Sequence, residues 1–230
     1  MRIAIITAML LVLPCVAFAQ DFCKGDFDFN GAVDADDVST FLESFGRSPF
    51  FNPCPIDGPS PVPKTGQTTS YATGDDGDHE RGVALVTPRF SDNGDGTVND
   101  NQTGLIWLKN ANCFGQRTWY NALSDCNSLA SGSCGLMDGS NAGDWRLPNK
   151  RELISITDDG CYDPAVPNTT GTGCWSPGNP FNNVQTGYYW SSTTVADSSS
   201  FAWYVRMNFG VVVYGNKYDL SYLWCVRGGH

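Results

Sequence analysis

Gly143-Asp144-Trp145-Arg146-Leu147-Pro148-Asn149-Lys150-Arg151-Glu152-Leu153 is the stretch from which the C-terminal domain can be read. A helix follows Pro148. Asn149 and Glu152 stand in capping-box relation, in which each side chain accepts a backbone N–H from the other's position. Leu153, Ile154 and Ile156 then face inward. Trp145 and Leu147 read as core residues, and Arg146 as the partner of a buried carboxylate or of backbone carbonyls.

Upstream, Thr118 suits the N-cap of another helix, in which Trp119, Ala122, Leu123, Cys126, Leu129 and Ala130 mark one apolar face that ends near Gly132. Cys126 therefore points at the core. Before it, Arg89 to Lys109 has the pattern of a hairpin. Phe90 leads into Asn93-Gly94-Asp95-Gly96, and Thr97-Val98 and Leu105-Ile106-Trp107-Leu108 have strand character. Asp92, Asp95 and Asp100 lack metal-loop spacing and are accounted for by turn chemistry.

Downstream, residues 158 to 187 are mostly Gly, Pro, Asn and Thr, with Cys161 and Cys174 placed to staple them. The last quarter alternates. Phe201, Trp203, Val205, Met207 and Phe209 are expected on a buried face, with Ala202, Tyr204, Arg206 and Asn208 on the other. Tyr188 to Thr193, Val211 to Tyr214 across Gly210, and Leu223 to Val226 complete one antiparallel sheet. The fold class is α+β, two helices beside an antiparallel sheet, over residues 75–230.

At the other end, residues 1–19 carry Arg2, an apolar stretch from Ile3 to Val16 and a small-x-small site at Ala17-Phe18-Ala19. This is the pattern of a cleaved signal peptide and predicts a secreted protein, periplasmic or on the extracellular surface. No segment of the mature chain reads as a transmembrane span.

Residues 20–54 form a small loop-helix module. Asp26, Asp28, Asn30, Asp34 and Asp37 fall at positions 1, 3, 5, 9 and 12 of an EF-hand calcium loop, with Gly31 at its sharp turn and the Ala32 carbonyl at position 7. One Ca2+ is the expected cofactor, against the plainer alternative of an acidic solvated loop. Cys23 and Cys54 bracket the unit and are expected to close it. Residues 55–74, crowded with Pro, Gly, Ser and Thr, read as an extended linker.

The chain has nine cysteines, and losing Cys15 with the leader leaves eight. An even number in an oxidising compartment implies four disulfides, although eight cysteines allow about 105 connectivities. Losing Arg2 as well leaves 13 basic against 24 acidic residues, a net charge of −11. Such a surface repels polyanions, so nucleic acid is excluded as a partner. Catalysis has no motif to support it: Gly-x-Ser-x-Gly, HExxH and phosphate-loop patterns are absent, and His79 and His230 have no nucleophile beside them in a motif.

Two families are similar to parts of this chain. Gly25 to Arg47, with its closing Phe45-Gly46-Arg47, resembles one half of a dockerin, in which a shorter carboxylate such as Asp37 ends the loop. The second repeat of a dockerin is missing. Over roughly Lys64 to Gly229 the resemblance is carried by Thr65-Gly66-Gln67, Gly74-Asp75-Asp76-Gly77-Asp78, Pro88-Arg89-Phe90, Asp92-Asn93-Gly94-Asp95-Gly96-Thr97-Val98, Thr103-Gly104-Leu105-Ile106-Trp107, Gly143 to Asn149, Glu152-Leu153, Tyr189-Trp190-Ser191-Ser192 and Val226-Arg227-Gly228-Gly229. These motifs, in this order, resemble the collagen-like-adhesin C-terminal (Lcl_C) domain family.

That resemblance implies a C-type-lectin-like fold, secretion and attachment to glycans, sulfated ones included. A lectin-like fold ties its first helix to its final strand, which implies pairing of Cys126 with Cys225. With Cys161–Cys174 as the local staple, Cys113 then pairs with Cys134. The sugar-binding motifs of calcium-dependent lectins are absent. Residues 76 to 230 hold 10 basic and 15 acidic side chains, with no basic cluster, so sulfated glycans fit poorly. The expectation is a binding or adhesion protein that recognises a neutral glycan or a cell-surface or envelope protein. The alternatives are an envelope assembly module docking through the calcium unit, and an enzyme with an unrecognised site. The candidate ligand surface is Tyr162, Trp175, Phe181 and Tyr188 with Tyr204 and Tyr214, because exposed aromatics stack on sugar faces or anchor protein contacts. The alternative is that these residues cap the core.

Overall fold

The computed structural model describes residues 62–228. The expected leader (1–19), the calcium ligands Asp26, Asp28, Asn30, Ala32, Asp34 and Asp37, and the Cys23–Cys54 closure lie outside the described residues.

The fold is α+β, but its strands form two antiparallel sheets where one was expected. In the first, β1 (Phe90–Asp92), β2 (Thr97–Asp100) and β3 (Ile106–Leu108) make a meander, and the two-residue β7 (Val226–Arg227) pairs onto β3. The second consists of β4 (Tyr188–Val195), β5 (Ser198–Arg206) and β6 (Val211–Asn216).

The last strand is held away from the second sheet by two restraints. The Cys126–Cys225 disulfide anchors it to α2 (Trp119–Ser128). Reciprocal backbone bonds of 2.9 Å between Arg146 and Val226 fix it beside the Trp145–Leu147 segment. Just before it, Tyr222 exchanges backbone bonds with Tyr188 and Trp190, also at 2.9 Å, so one short segment joins the two sheets.

The capping box is present as expected. Asn149 Oδ1 accepts from the Arg151 and Glu152 N–H groups, and Glu152 Oε2 accepts from the Asn149 N–H, opening α3 (Lys150–Ser155). Arg146 grips Glu152 through two bonds of 2.7 Å and also donates to the Gly228 carbonyl at 2.9 Å. The α2 helix stops at Ser128, short of Gly132, because Leu129 turns extended to reach the core, and the Thr118 side chain makes no capping bond.

Trp107, Trp145, Trp190 and Trp224 are fully buried. Three of these indoles donate hydrogen bonds: Trp224 to the Leu108 carbonyl, Trp190 to the Arg117 carbonyl and Trp145 to Ser140 Oγ. Such bonds offset the cost of desolvating an N–H.

The alternation expected along β5 holds only in part. Val205 and Met207 are buried as expected, but Ala202, expected on the other face, is buried too, Phe201 and Trp203 are half-buried and Phe209 is exposed. The strand ends at Arg206, and residues 207–210 turn with Gly210 at φ +68°. Beyond the strand, the period of two no longer decides which way a side chain faces.

The described part of the expected linker, 62–74, is tied to the domain. Lys64 and Val83 N–H groups donate to the Val83 and Val62 carbonyls respectively, and the Asp159 N–H donates to the Thr65 carbonyl at 2.8 Å. Gly66 explains the tight seat. A Cβ there would lie 2.1 Å from an Asp158 carboxylate oxygen, so only glycine lets this arm close on the Asp158 turn. The hydrogen bonds of the domain thus extend to residues before Asp75.

Candidate functional site

The arm and the stapled loop enclose a cleft of about 720 Å3. One wall is built by the turn before α1 (Asp76–His79). Asp75 caps this helix, accepting from the Tyr71, Ala72 and Asp78 N–H groups, and these bonds, that of Tyr71 foremost, hold its carboxyl below the usual range. The result is a hydrogen-bonded turn from which Tyr71 projects, 81% exposed.

The opposite wall is the loop from Asp158 to Cys174, closed by the Cys161–Cys174 disulfide. It is anchored to the turn after β5, where Asp163 and Ala165 N–H groups donate to the Asn208 and Met207 carbonyls. This anchoring brings Tyr162, 75% exposed, and Phe209, 57% exposed, to the same cleft as Tyr71.

Two carboxylates lie among these rings. Asp158 is 7% exposed and accepts one hydrogen bond, from the Gly160 N–H to Oδ1 at 2.8 Å. Burial raises its pKa. The Gly160 N–H and the nearby Arg89 charge oppose that shift, and Asp159 adds to it. The Asp159 residue is exposed as a whole, yet desolvation of its carboxyl raises its pKa too, with a further push from Asp76. The cleft's one lysine, Lys64, is paired with Glu80 at 3.1 Å. Arg89, beneath the cleft, is committed to Asp100.

Of the expected ligand surface, Tyr162 alone lines this cleft. Phe181 is corrected to a core residue: it is fully buried, with its ring 5.0 Å from that of Phe90 and 4.8 Å from that of Trp224. Trp175 is half-buried, packs against the core and donates from Nε1 to the Phe181 carbonyl. Tyr188 and Tyr204 pack with ring centres 4.6 Å apart and planes tilted by 54°, with Arg206 over Tyr188. Tyr214 is exposed and packs edge-on against Trp203.

Tyr71, Phe209, Asp158 and Asp159 escaped the sequence reading. Tyr71 sits in a stretch read as linker, and Phe209 was assigned to a buried face. Thr65-Gly66-Gln67 and the Asp-rich 74–78 run, whose residues hold the turn of Tyr71 and meet Asp159, are the signal that could have found the arm wall; Phe209 has none.

The structure contains disulfides Cys113–Cys134, Cys126–Cys225 and Cys161–Cys174, the same three pairs expected from the staple and the family resemblance. Asp92 and Asp95 accept local turn N–H groups. No group of three or more His, Cys, Asp or Glu side chains among the described residues is placed to hold a metal ion. No helix among them is long and apolar enough to cross a membrane.

No curated protein matches the chain. The arm side of the cleft precedes the segment, residues 96–227, that is matched by the family model described as the Lcl C-terminal domain. That segment is more than half of the 230 residues and carries strands β2 to β7, both longer helices and all three disulfides of the described residues, and the chain belongs to the Lcl C-terminal domain family.

Proposed function

We propose that this is a secreted, adhesin-like binding protein without catalytic activity, whose C-terminal domain has a C-type-lectin-like fold and holds a glycan of a surface or matrix in the arm-and-loop cleft. In this reading residues 20–54 are a calcium-holding adaptor, with one Ca2+ on the Asp26 to Asp37 loop. Family membership supports the adhesin-like role, and three disulfides fit an oxidising compartment outside the cytoplasm.

One observation carries the reading. Tyr71, Tyr162 and Phe209 are solvent-exposed, yet they converge on one concave surface instead of being scattered. Exposed aromatics gathered at a cleft mark a recognition site, because rings stack on apolar sugar faces at little entropic cost. Polar neighbours such as Gln67, Thr68 and Thr69 are of the kind that hydrogen-bond sugar hydroxyls.

A glycan array probed with the mature protein, with and without a calcium chelator, tests this reading. Binding that survives chelation and disappears in Tyr71→Ala, Tyr162→Ala supports it. Binding unaffected by that double variant places the ligand elsewhere, and loss of binding in chelator alone transfers recognition to the calcium unit.

A further inference from the structure

The charge of the cleft narrows the class of glycan. Among the described residues that line it, Asp158 and Asp159 are the two acids without an ion pair, since Glu80 is paired with Lys64, and the guanidinium of Arg89, whose charge Asp158 feels, is tied to Asp100 and the Ser155 carbonyl. Asp76, behind Asp159, adds negative potential.

Asp158 is more than nine-tenths buried, and its Oδ2 has no hydrogen-bond partner among the described residues. Oδ2 keeps contact with the open cleft, and a carboxylate so largely buried is costly to ionise and is ordinarily paired. Gly66 and Gly160 pack so closely around it that neither tolerates a Cβ without meeting the carboxylate or the facing backbone. The described residues thus fit closely around this carboxylate, yet none of them bonds a cation to it, and Arg89 acts on it only through space.

Resting on the binding function proposed above, we infer that the cleft takes an amino sugar with a free, protonated amine: the ammonium is held by Asp158 and Asp159, and the ring is held against Tyr71, Tyr162 or Phe209. The aromatics reinforce the choice, because ring faces attract cations as well as sugar C–H groups. The raised carboxyl pKa values agree, since an arriving ammonium relieves the unfavourable burial that raises them. Sulfated or uronic-acid glycans meet like charge here. The neutral hydroxyl and amide groups of Thr68, Thr69, Thr172 and Gln67 suit a sugar better than the side chain of a lysine peptide.

The test is a calorimetric comparison of a β-1,4-linked glucosamine oligosaccharide with its fully N-acetylated counterpart, on the full mature protein at pH 6 to 7. A charge-assisted bond predicts a Kd at least about tenfold tighter for the free amine. That preference should vanish in Asp159→Asn and in Asp158→Asn, with circular dichroism checking that each variant is folded. Equal or tighter binding of the acetylated sugar in the same cleft overturns the inference and leaves the binding function standing. Equal binding of a trilysine peptide overturns the sugar assignment. No cleft binding by either oligosaccharide, together with array binding unaffected by Tyr162→Ala, overturns both the inference and the cleft as a binding site.

Discussion

Arg89 and Asp100 form a two-point ion pair inside the domain: Nε to Oδ1 at 2.7 Å and Nη2 to Oδ2 at 2.9 Å, with side chains 3% and 0% exposed. The pair is fully dressed. Arg89 also donates to the Ser155 carbonyl, and Asp100 also accepts from the Gln102 N–H and the Thr103 hydroxyl. It joins the strand entering β1 to the end of β2 and to α3, directly under the cleft.

Removing one partner strands the other charge in the interior. Asp100→Ala is therefore expected to lower unfolding stability by about 3–5 kcal/mol, and replacing both residues with apolar ones by much less. Chemical denaturation of the two single variants and the double variant measures this. Single losses below about 1 kcal/mol would contradict a buried pair.

Phe181 carries a second prediction, because its ring is wedged between Phe90 and Trp224. Phe181→Ala should cost about 3–5 kcal/mol and leave ligand affinity unchanged wherever the variant is folded. A variant that keeps its Tm but loses binding would return Phe181 to the ligand surface.

Asp158 makes a prediction about pH. Its folded pKa is raised by burial, so its penalty is absent below the pKa of the unfolded carboxyl, where both states are protonated. The penalty grows as pH rises between the unfolded and folded pKa values, and is full above the folded one. Asp158→Asn keeps an oxygen for the Gly160 N–H while removing the charge. It should raise stability near neutral pH, with the gain shrinking as pH falls below the folded pKa and gone below about pH 4, where the unfolded carboxyl is protonated too. Melting curves across that range check the sign, and a gain that grew toward acid would refute it.

Much of the scaffold was legible because local rules and burial agree. Asn149 and Glu152 announced α3 through spacing alone, and Trp145 and Leu147 are apolar residues of a kind that folding puts inside. The rest depended on long-range partners. Phe181 lies in a Gly, Pro and Asn-rich stretch with no period to mark burial, and only the docking of residue 182 onto the Lys109 and Ala111 backbone carries its ring into the core.

The division into two sheets was hidden for the same reason: β7 has two residues, and its placement on β3 is decided by Cys126 and Arg146, each distant in sequence. Of the site, Tyr162 was visible as an aromatic in an irregular loop. Tyr71 and Phe209 meet it only because the Thr65 carbonyl accepts from Asp159 and the Asn208 carbonyl from Asp163, contacts with no signature in the intervening sequence.

The most direct measurement is an isothermal titration of the wild-type protein and the Tyr71→Ala, Tyr162→Ala variant with the strongest oligosaccharide found on the array. Both side chains are largely exposed, so the variant should unfold at the wild-type temperature. Each lost stacking ring is worth roughly 0.5–1.5 kcal/mol beyond its buried area. Affinity weakened by tenfold or more at unchanged Tm is the predicted result; wild-type affinity in the folded variant would contradict the cleft as the binding site.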